Sequence, residues 1–205
     1  MSNTLKSVII VLSILIVDQV VKIVVKTNMT LYEQIPFIGN WAIIHFVENR
    51  GMAFGLNIPG DYGKIALSIF RLIASLGIIF YIRHLIKLKA HTGLIITLSL
   101  ILAGAMGNIF DSAFYGMIFS ESTPVSTATI FPPEGGYASF LHGNVVDMFY
   151  FPIIKGNYPE WFRGGQSFIF FRPVFNVADS SITIGVFFIL FNQKRFFRHL
   201  SDEQD

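Results

Sequence analysis

The chain has 205 residues, of which 53% are apolar before glycine is counted and only 14% are charged, with a mean hydropathy of +0.59. One domain of polytopic membrane protein fits those values, and a soluble globular domain does not. The net charge of +2 is too small to argue for nucleic acid, and zero cysteines exclude disulfides, thiol catalysis and thiolate metal sites.

The first apolar stretch runs over Leu5–Val25 and carries Asp18 and Lys22. No small-residue cleavage site follows, so it reads as a retained helix rather than a removed leader. Asp18 and Lys22 are four apart with the acid first, the favoured order for an ion pair on one helix face. Their expected role is a buried structural ion pair. The next connection is not membrane-like. Ile35–Asn40 is turn-rich, Trp41–Glu48 is rich in strand formers, and Asn49-Arg50-Gly51 reads as a turn, which predicts a short strand pair.

Further spans follow at Ile65–Ile86 and Thr92–Phe110. Arg71, near one end of the second, reads as a snorkelling side chain. The third carries Gly104, Asn108 and Asp111 on one face, with small neighbours suited to helix packing. Residues 120–139, rich in Ser, Thr, Pro and Gly, read as a surface loop. Val145-Val146-Asp147 precedes an aromatic segment, 149–173, whose rings favour the headgroup region. The last span, Val174–Phe191, opens with Asn176, Asp179, Ser180 and Thr183 in one polar stripe.

The short segments 1–7, 83–91 and 192–205 total 30 residues with seven Lys/Arg, whereas 26–64 and 113–173 total 100 residues with six. The positive-inside rule therefore puts both termini in the cytoplasm and both long connections outside. The expected fold is an all-α membrane protein of four transmembrane helices, with a small β-sheet and loop region on the outer face. Residues 1–205 form a single integral membrane domain.

Asp147 and Asp179 then lie at similar depth at the outer edge. A carboxylate in such a setting is expensive and usually functional. Two that share a proton can hydrolyse an amide: one deprotonates water, the other protonates the carbonyl oxygen and the leaving amine. The competing chemistries are poorly supplied. No His-Glu-x-x-His occurs, no Gly-x-Ser-x-Gly elbow occurs, and the five histidines are scattered, His142 lying nearest to Asp147 in sequence. Two alternatives remain, a small proton-coupled transporter and a Mg-dependent lipid-modifying transferase.

Five segments in order resemble the bacterial lipoprotein signal peptidases, or type II signal peptidases: Asp18-x-x-x-Lys22, Asn49-Arg50-Gly51-Met52-Ala53-Phe54-Gly55, Gly104–Asp111, Val145-Val146-Asp147 and Phe175–Ser180. The resemblance implies an aspartic endopeptidase of the inner membrane that cuts diacylglyceryl-modified prolipoproteins before the lipidated cysteine. It implies Asp147 and Asp179 as the catalytic dyad. Asn49, Gly51, Asn108, Asp111 and Asn176 would shape the substrate site. No cofactor or metal is implied, and the partners are the lipidated substrate and membrane lipids, with a monomer expected. Two departures stand out. Ser112 occupies the place of an arginine usual after Asp111, leaving Arg50, Arg163 and Arg172 as candidate partners for that acid. An insertion at about 117–141 lengthens the link to Asp147.

Overall fold

The structure, a computed structural model, describes residues 1–49, 61–170 and 172–201. The first helix, α1 (Asn3–Asn28), starts where the Ser2 hydroxyl accepts from the Leu5 amide at 3.2 Å, and it ends at extended Met29. Its burial is inverted relative to a soluble helix. Asp18, Lys22 and Lys26 are wholly buried, while Leu12, Ile16 and Val20 are about half exposed. Polar side chains turned in and apolar ones turned out suit hydrocarbon as the surrounding solvent, not water. The same inversion governs α2 (Asp61–Lys87), where Ser68 and Ser75 are buried and Phe70, Ile73 and Phe80 are exposed.

The central helix is α3 (Thr92–Phe110), which packs against α1, α2 and α5 (Val177–Ser201). Its contact with α5 is as close as backbones allow: a Cβ on Gly104 would lie 2.2 Å from the Ala178 carbonyl oxygen. Hydroxyls complete these seams. Ser7 and Ser99 meet at 2.7 Å between α1 and α3, and Ser181 donates to the Leu100 carbonyl at 2.7 Å between α5 and α3. Beyond Phe110 the helix widens into a π-helical turn, Asp111–Tyr115, then resumes as short α4, Gly116–Ile118. Such turns frequently mark functional sites.

Among the described residues, three helical stretches are long and apolar enough to cross a membrane: Asn3–Asn28, Gly63–Lys87 and Thr92–Ile118. The fourth helix differs from the expected Val174–Phe191. Val174 and Phe175 form a strand, and α5 begins only at Val177. The apolar pair is held by strand hydrogen bonds opposite Tyr150 and Phe149, a tertiary demand that overrides the run's helical look.

An antiparallel sheet in the order β1-β2-β3-β6 sits at the end of the helices that includes Asp111. Its strands are β1 (Gln34–Ile38), β2 (Ala42–Asn49), β3 (Val145–Tyr150) and β6 (Val174–Phe175). The strand pair expected over 35–48 is present, but half of a larger sheet was not anticipated. Period-two alternation along β3 sends Val146 and Met148 into a core with Phe46, Tyr115 and Phe119, and leaves Asp147 on the other face. A separate hairpin, β4 (Ile154–Asn157) with β5 (Ser167–Phe170), carries much of the aromatic segment.

The insertion has little regular structure, and its tips are open at Val125 and Phe131. It is nevertheless built into the protein. The Thr123 carbonyl accepts from the Leu31 amide, and the Lys26 carbonyl accepts from Ala128. Buried Lys26 forms an ion pair with Glu48 and donates to the Ser122 hydroxyl at 2.8 Å, while its ammonium lies 5.0 Å from the Tyr137 ring centre. The second carboxylate oxygen of Glu48 accepts from Asn144 at 2.8 Å. The loop therefore braces the strands beside Asp147 from behind.

Candidate active site

Asp147 and Asp179 come together where β3 meets the start of α5. Asn176 ends the β6 segment in the position that caps α5. Its side-chain oxygen accepts from the Asp179 amide at 2.8 Å, and an Asp179 oxygen faces the Asn176 amide at 3.4 Å. That reciprocal pairing is a capping box, with aspartate as its acidic partner. The free end of the Asn176 side chain donates to Asp147 at 2.7 Å and to the Val146 carbonyl at 3.2 Å. One asparagine thus touches both acids.

Asn108, from the last turn of α3, does the complementary work. Its amide donates to Asp179 at 2.8 Å, and its oxygen accepts from Asn176 and from the Lys22 ammonium, both at 3.1 Å. Both asparagines are fully or nearly fully buried, so each acid is fixed by donors that cannot exchange with solvent.

Lys22 is the electrostatic centre beneath them. It lies 2.8 Å from Asp18 and 2.8 Å from Asp111, with all three side chains buried. Asp111 also accepts from Gln19 at 2.9 Å and faces the Val146 amide at 3.3 Å. Asp18 accepts the Ala178 amide at 2.9 Å, placing a carboxylate at the positive N-terminus of α5. Among the described residues the charge partner of Asp111 is Lys22; Arg172 is exposed, and Arg50 and the Arg163 side chain lie outside them. The i,i+4 pair with Asp18 is only half of what Lys22 does.

The packing explains Ser112. Its hydroxyl donates to the Asn108 carbonyl at 3.0 Å, its carbonyl accepts from Gly143, and it is buried. A Cβ on Gly143 would lie 2.1 Å from the Asp111 carbonyl oxygen. The chain just after the insertion approaches the backbone of this turn so closely that a side chain at 143 has no room.

The remaining residues fall into place unevenly. Asn49 ends β2 opposite Val145, two residues before Asp147. Gly51, with Arg50 and the rest of its motif, lies outside the described residues. The His142 ring is tied locally to Ser139 and the Phe140 carbonyl rather than to the acids. No group of three or more His, Asp or Glu able to hold a metal occurs among the described residues. Gln19 and Tyr115 were missed. The Tyr115 hydroxyl donates to Gln19 at 3.1 Å, which aims the Gln19 amide at Asp111 and Asp18. Gln19 sits beside Asp18 in sequence, but nothing in the pattern distinguishes it from a lipid-facing polar residue.

Asp147 is pushed up to about 8, first by burial and second by the charge of Asp179. At neutral pH it carries a proton. The site thus holds a protonated carboxyl beside a second carboxyl group, set by two asparagines, at the junction between apolar-faced helices and a sheet.

Fold and site together define a helical membrane protein with a carboxyl pair set in a buried polar cluster. The chain belongs to the signal peptidase II family, a family of proteases: residues 10–195 match the family described as "Signal peptidase (SPase) II". It is 50% identical over 180 residues to the lipoprotein signal peptidase of Porphyromonas gingivalis, covering 86% of this chain and 77% of that one. It is 37% identical over 183 residues to the lipoprotein signal peptidase of Amoebophilus asiaticus, covering 87% and 73%. Among solved structures, a bacterial membrane enzyme determined by the in meso method at 1.9 Å is similar at a TM-score of 0.58 and 25% identity, covering 92% of both chains. Another, determined at 2.3 Å, has a TM-score of 0.59 and covers 91% of this chain and 86% of that one.

Proposed function

We propose that the chain is an intramembrane aspartic endopeptidase that removes the signal peptide from diacylglyceryl-modified prolipoproteins, cutting before the lipidated cysteine. The observation that carries this reading is the convergence of Asp147 and Asp179 on the Asn176 side chain. One acid holds a proton and the other accepts hydrogen bonds. Asp179 takes a proton from water as the water attacks the scissile carbonyl carbon. Asp147 gives its proton to the carbonyl oxygen; as the tetrahedral intermediate collapses, the proton held on Asp179 passes to the departing amine and Asp147 takes its proton back from the hydroxyl that becomes the carbonyl. Asn108, Asp111 and Asn176 hold these acids, Asp18 and Lys22 hold Asp111 and the start of α5, and Asn49 and Gly51 border the substrate. No metal has a part in this chemistry.

In this reading α5 is a fourth span. It is 25 residues long, with Ile184, Phe187, Phe188 and Leu190 exposed as on the other helices. Both termini are cytoplasmic, the dyad lies at the outer face of the inner membrane, and the chain acts as a monomer. A reporter fused after Asp205 is expected to behave as cytoplasmic, and one inserted near Ser126 as external. The reverse pattern contradicts the placement.

The raised Asp147 fixes the pH dependence. Its proton is present below about 8 and is lost as pH rises through that value. The rate should therefore fall on the alkaline side with an apparent midpoint near 8, as a property of the pair rather than of one residue. EDTA should leave the profile unchanged. Loss of activity to chelator would favour the Mg-dependent transferase, and a flat profile through pH 9 would remove Asp147 as the proton carrier.

A further inference from the structure

The second helix holds a cation that the mechanism above does not use. On α2, the residues turned inward recur at four- and three-residue spacing: Lys64, Ser68, Arg71, Ser75, then Ile78, Ile82 and Leu85. The seam is polar over its outer half and apolar over its inner half, where Ile82 and Leu85 join a core with Leu94 and Ile95. The intervening positions Phe70, Leu72, Ile73 and Leu76 are exposed and apolar. A guanidinium on this seam faces the bundle interior, where an unpaired charge is costly, rather than lipid.

Its depth follows from the connection between α2 and α3. Counting equal numbers of residues back from Lys87 and forward from Thr92 sets Arg71 level with Asn108, whose amide donates to Asp179. The outer end of the seam is pinned to the same region, since Lys64 donates to the His142 carbonyl and, at 2.7 Å, to Asn144, three residues before Asp147. One turn deeper than Arg71, the Ser75 hydroxyl is buried and has no hydrogen-bond partner among the described residues. Nearer the helix start, Ser68 by contrast donates to the Lys64 carbonyl at 2.9 Å.

The carboxylates that act on Arg71 are Asp179 from α5, Asp147 from β3 and Asp111 from the end of α3, in that order. Among the described residues the ion pairs are Lys22 with Asp18 and Asp111, and Lys26 with Glu48. Lys22 is thereby taken up by two acids, whereas Arg71 forms no ion pair among the described residues and meets these charges through space.

We propose that Arg71 is a positioning residue for the dyad: its fixed positive charge, held on the inward seam of α2, favours the state in which one of the two carboxyls is ionised while the other retains its proton. Burial and the charges of Asp179 and Asp111 push Asp147 toward its protonated form, and Lys22 is already matched by two acids. Arginine suits the task because it stays charged in such surroundings. The proposal rests on the dyad reading above.

The test is the pH profile of kcat/KM for Arg71→Gln and Arg71→Lys, using purified protein and a diacylated lipobox peptide. Removing the cation makes the ionised acid harder to form. The acidic limb of the Arg71→Gln profile should therefore move up by about one pH unit, while Arg71→Lys stays close to wild type. If Arg71→Gln does not accumulate, Arg71→Cys gives the same comparison, because the chain has no other cysteine. Labelling it with an aminoethyl thiosulfonate restores the charge, and a methyl thiosulfonate does not. The infrared band of the protonated carboxyl that disappears in Asp147→Asn titrates without substrate. It separates failure of this inference from failure of the peptidase reading. An upward shift of about one unit in that band's titration supports the role of Arg71 even if no peptide is cut. A profile and a band that coincide with wild type in Arg71→Gln, or a rate loss equal at every pH, overturn it.

Discussion

Asp147→Asn and Asp179→Asn are each expected to lower cleavage of a diacylglyceryl-cysteine precursor by about a thousandfold or more, at unchanged protein level. The two changes leave the local packing nearly intact. An amide oxygen at 147 still accepts from Asn176, which now donates at 2.7 Å, and one at 179 still accepts from Asn108 at 2.8 Å. What is lost is the ability to hold and release a proton. Because the acids act as a unit, the double variant should be little worse than either single one. Turnover assays at matched protein concentration decide it. Substantial cleavage by either single variant would shift the reaction to the remaining acid or to Asp111.

The largest expected effect on stability is at Lys22. Lys22→Met removes the cation between Asp18 and Asp111 and leaves two wholly buried carboxylates without a counter-charge. Breaking a buried pair from one side costs about 3–5 kcal/mol, since the partner's desolvation is no longer offset. Here two partners are stranded at once. One of them, Asp18, also holds the first turn of α5 through the Ala178 amide, and Asn108 loses one of its donors. Lys22→Met should therefore unfold in detergent at a markedly lower temperature, and the fraction that folds should turn over more slowly. Asp18→Asn is milder, because an amide oxygen still accepts from Ala178. A Lys22→Met protein with wild-type thermal stability would mean that these acids are protonated in the native state and need no cation.

Much of this architecture is legible in the chain because lipid imposes simple demands. Three apolar runs had to be helices, and α1, α2 and α3 lie within a few residues of where hydropathy puts them. The polar stripe Asn176–Thr183 marked the helix that brings Asp179 beside Asp147, although the apolar pair before it, Val174 and Phe175, was claimed by the sheet. Strand β3 was harder. Val145–Tyr150 is too short to show a period, and its partner β2 is about a hundred residues away in sequence, so nothing in the sequence placed Asp147 on a strand. Lys22 was read through its local i,i+4 neighbour, since sequence spacing shows contacts within a helix and not between helices. Asp111 therefore seemed to lack a partner that it has. The insertion looked peripheral by composition, yet Ser122 and Ala128 are buried, because one serine and one alanine suffice to complete a lysine–glutamate pair and a packed core. Arg71 looked like a snorkelling side chain because only the burial of Ser68 and Ser75 shows which way that face of α2 turns.

The central claim is that this carboxyl pair cuts one bond, directly before a lipidated cysteine. It is tested most directly by the mass of a synthetic diacylated lipobox peptide before and after exposure to the purified protein, run beside Asp147→Asn. Wild type should yield two fragments whose masses place the cut immediately before the modified cysteine, and the variant should return the peptide whole. An intact peptide with folded wild-type protein, a cut at another bond, or equal cleavage by Asp147→Asn would contradict the account.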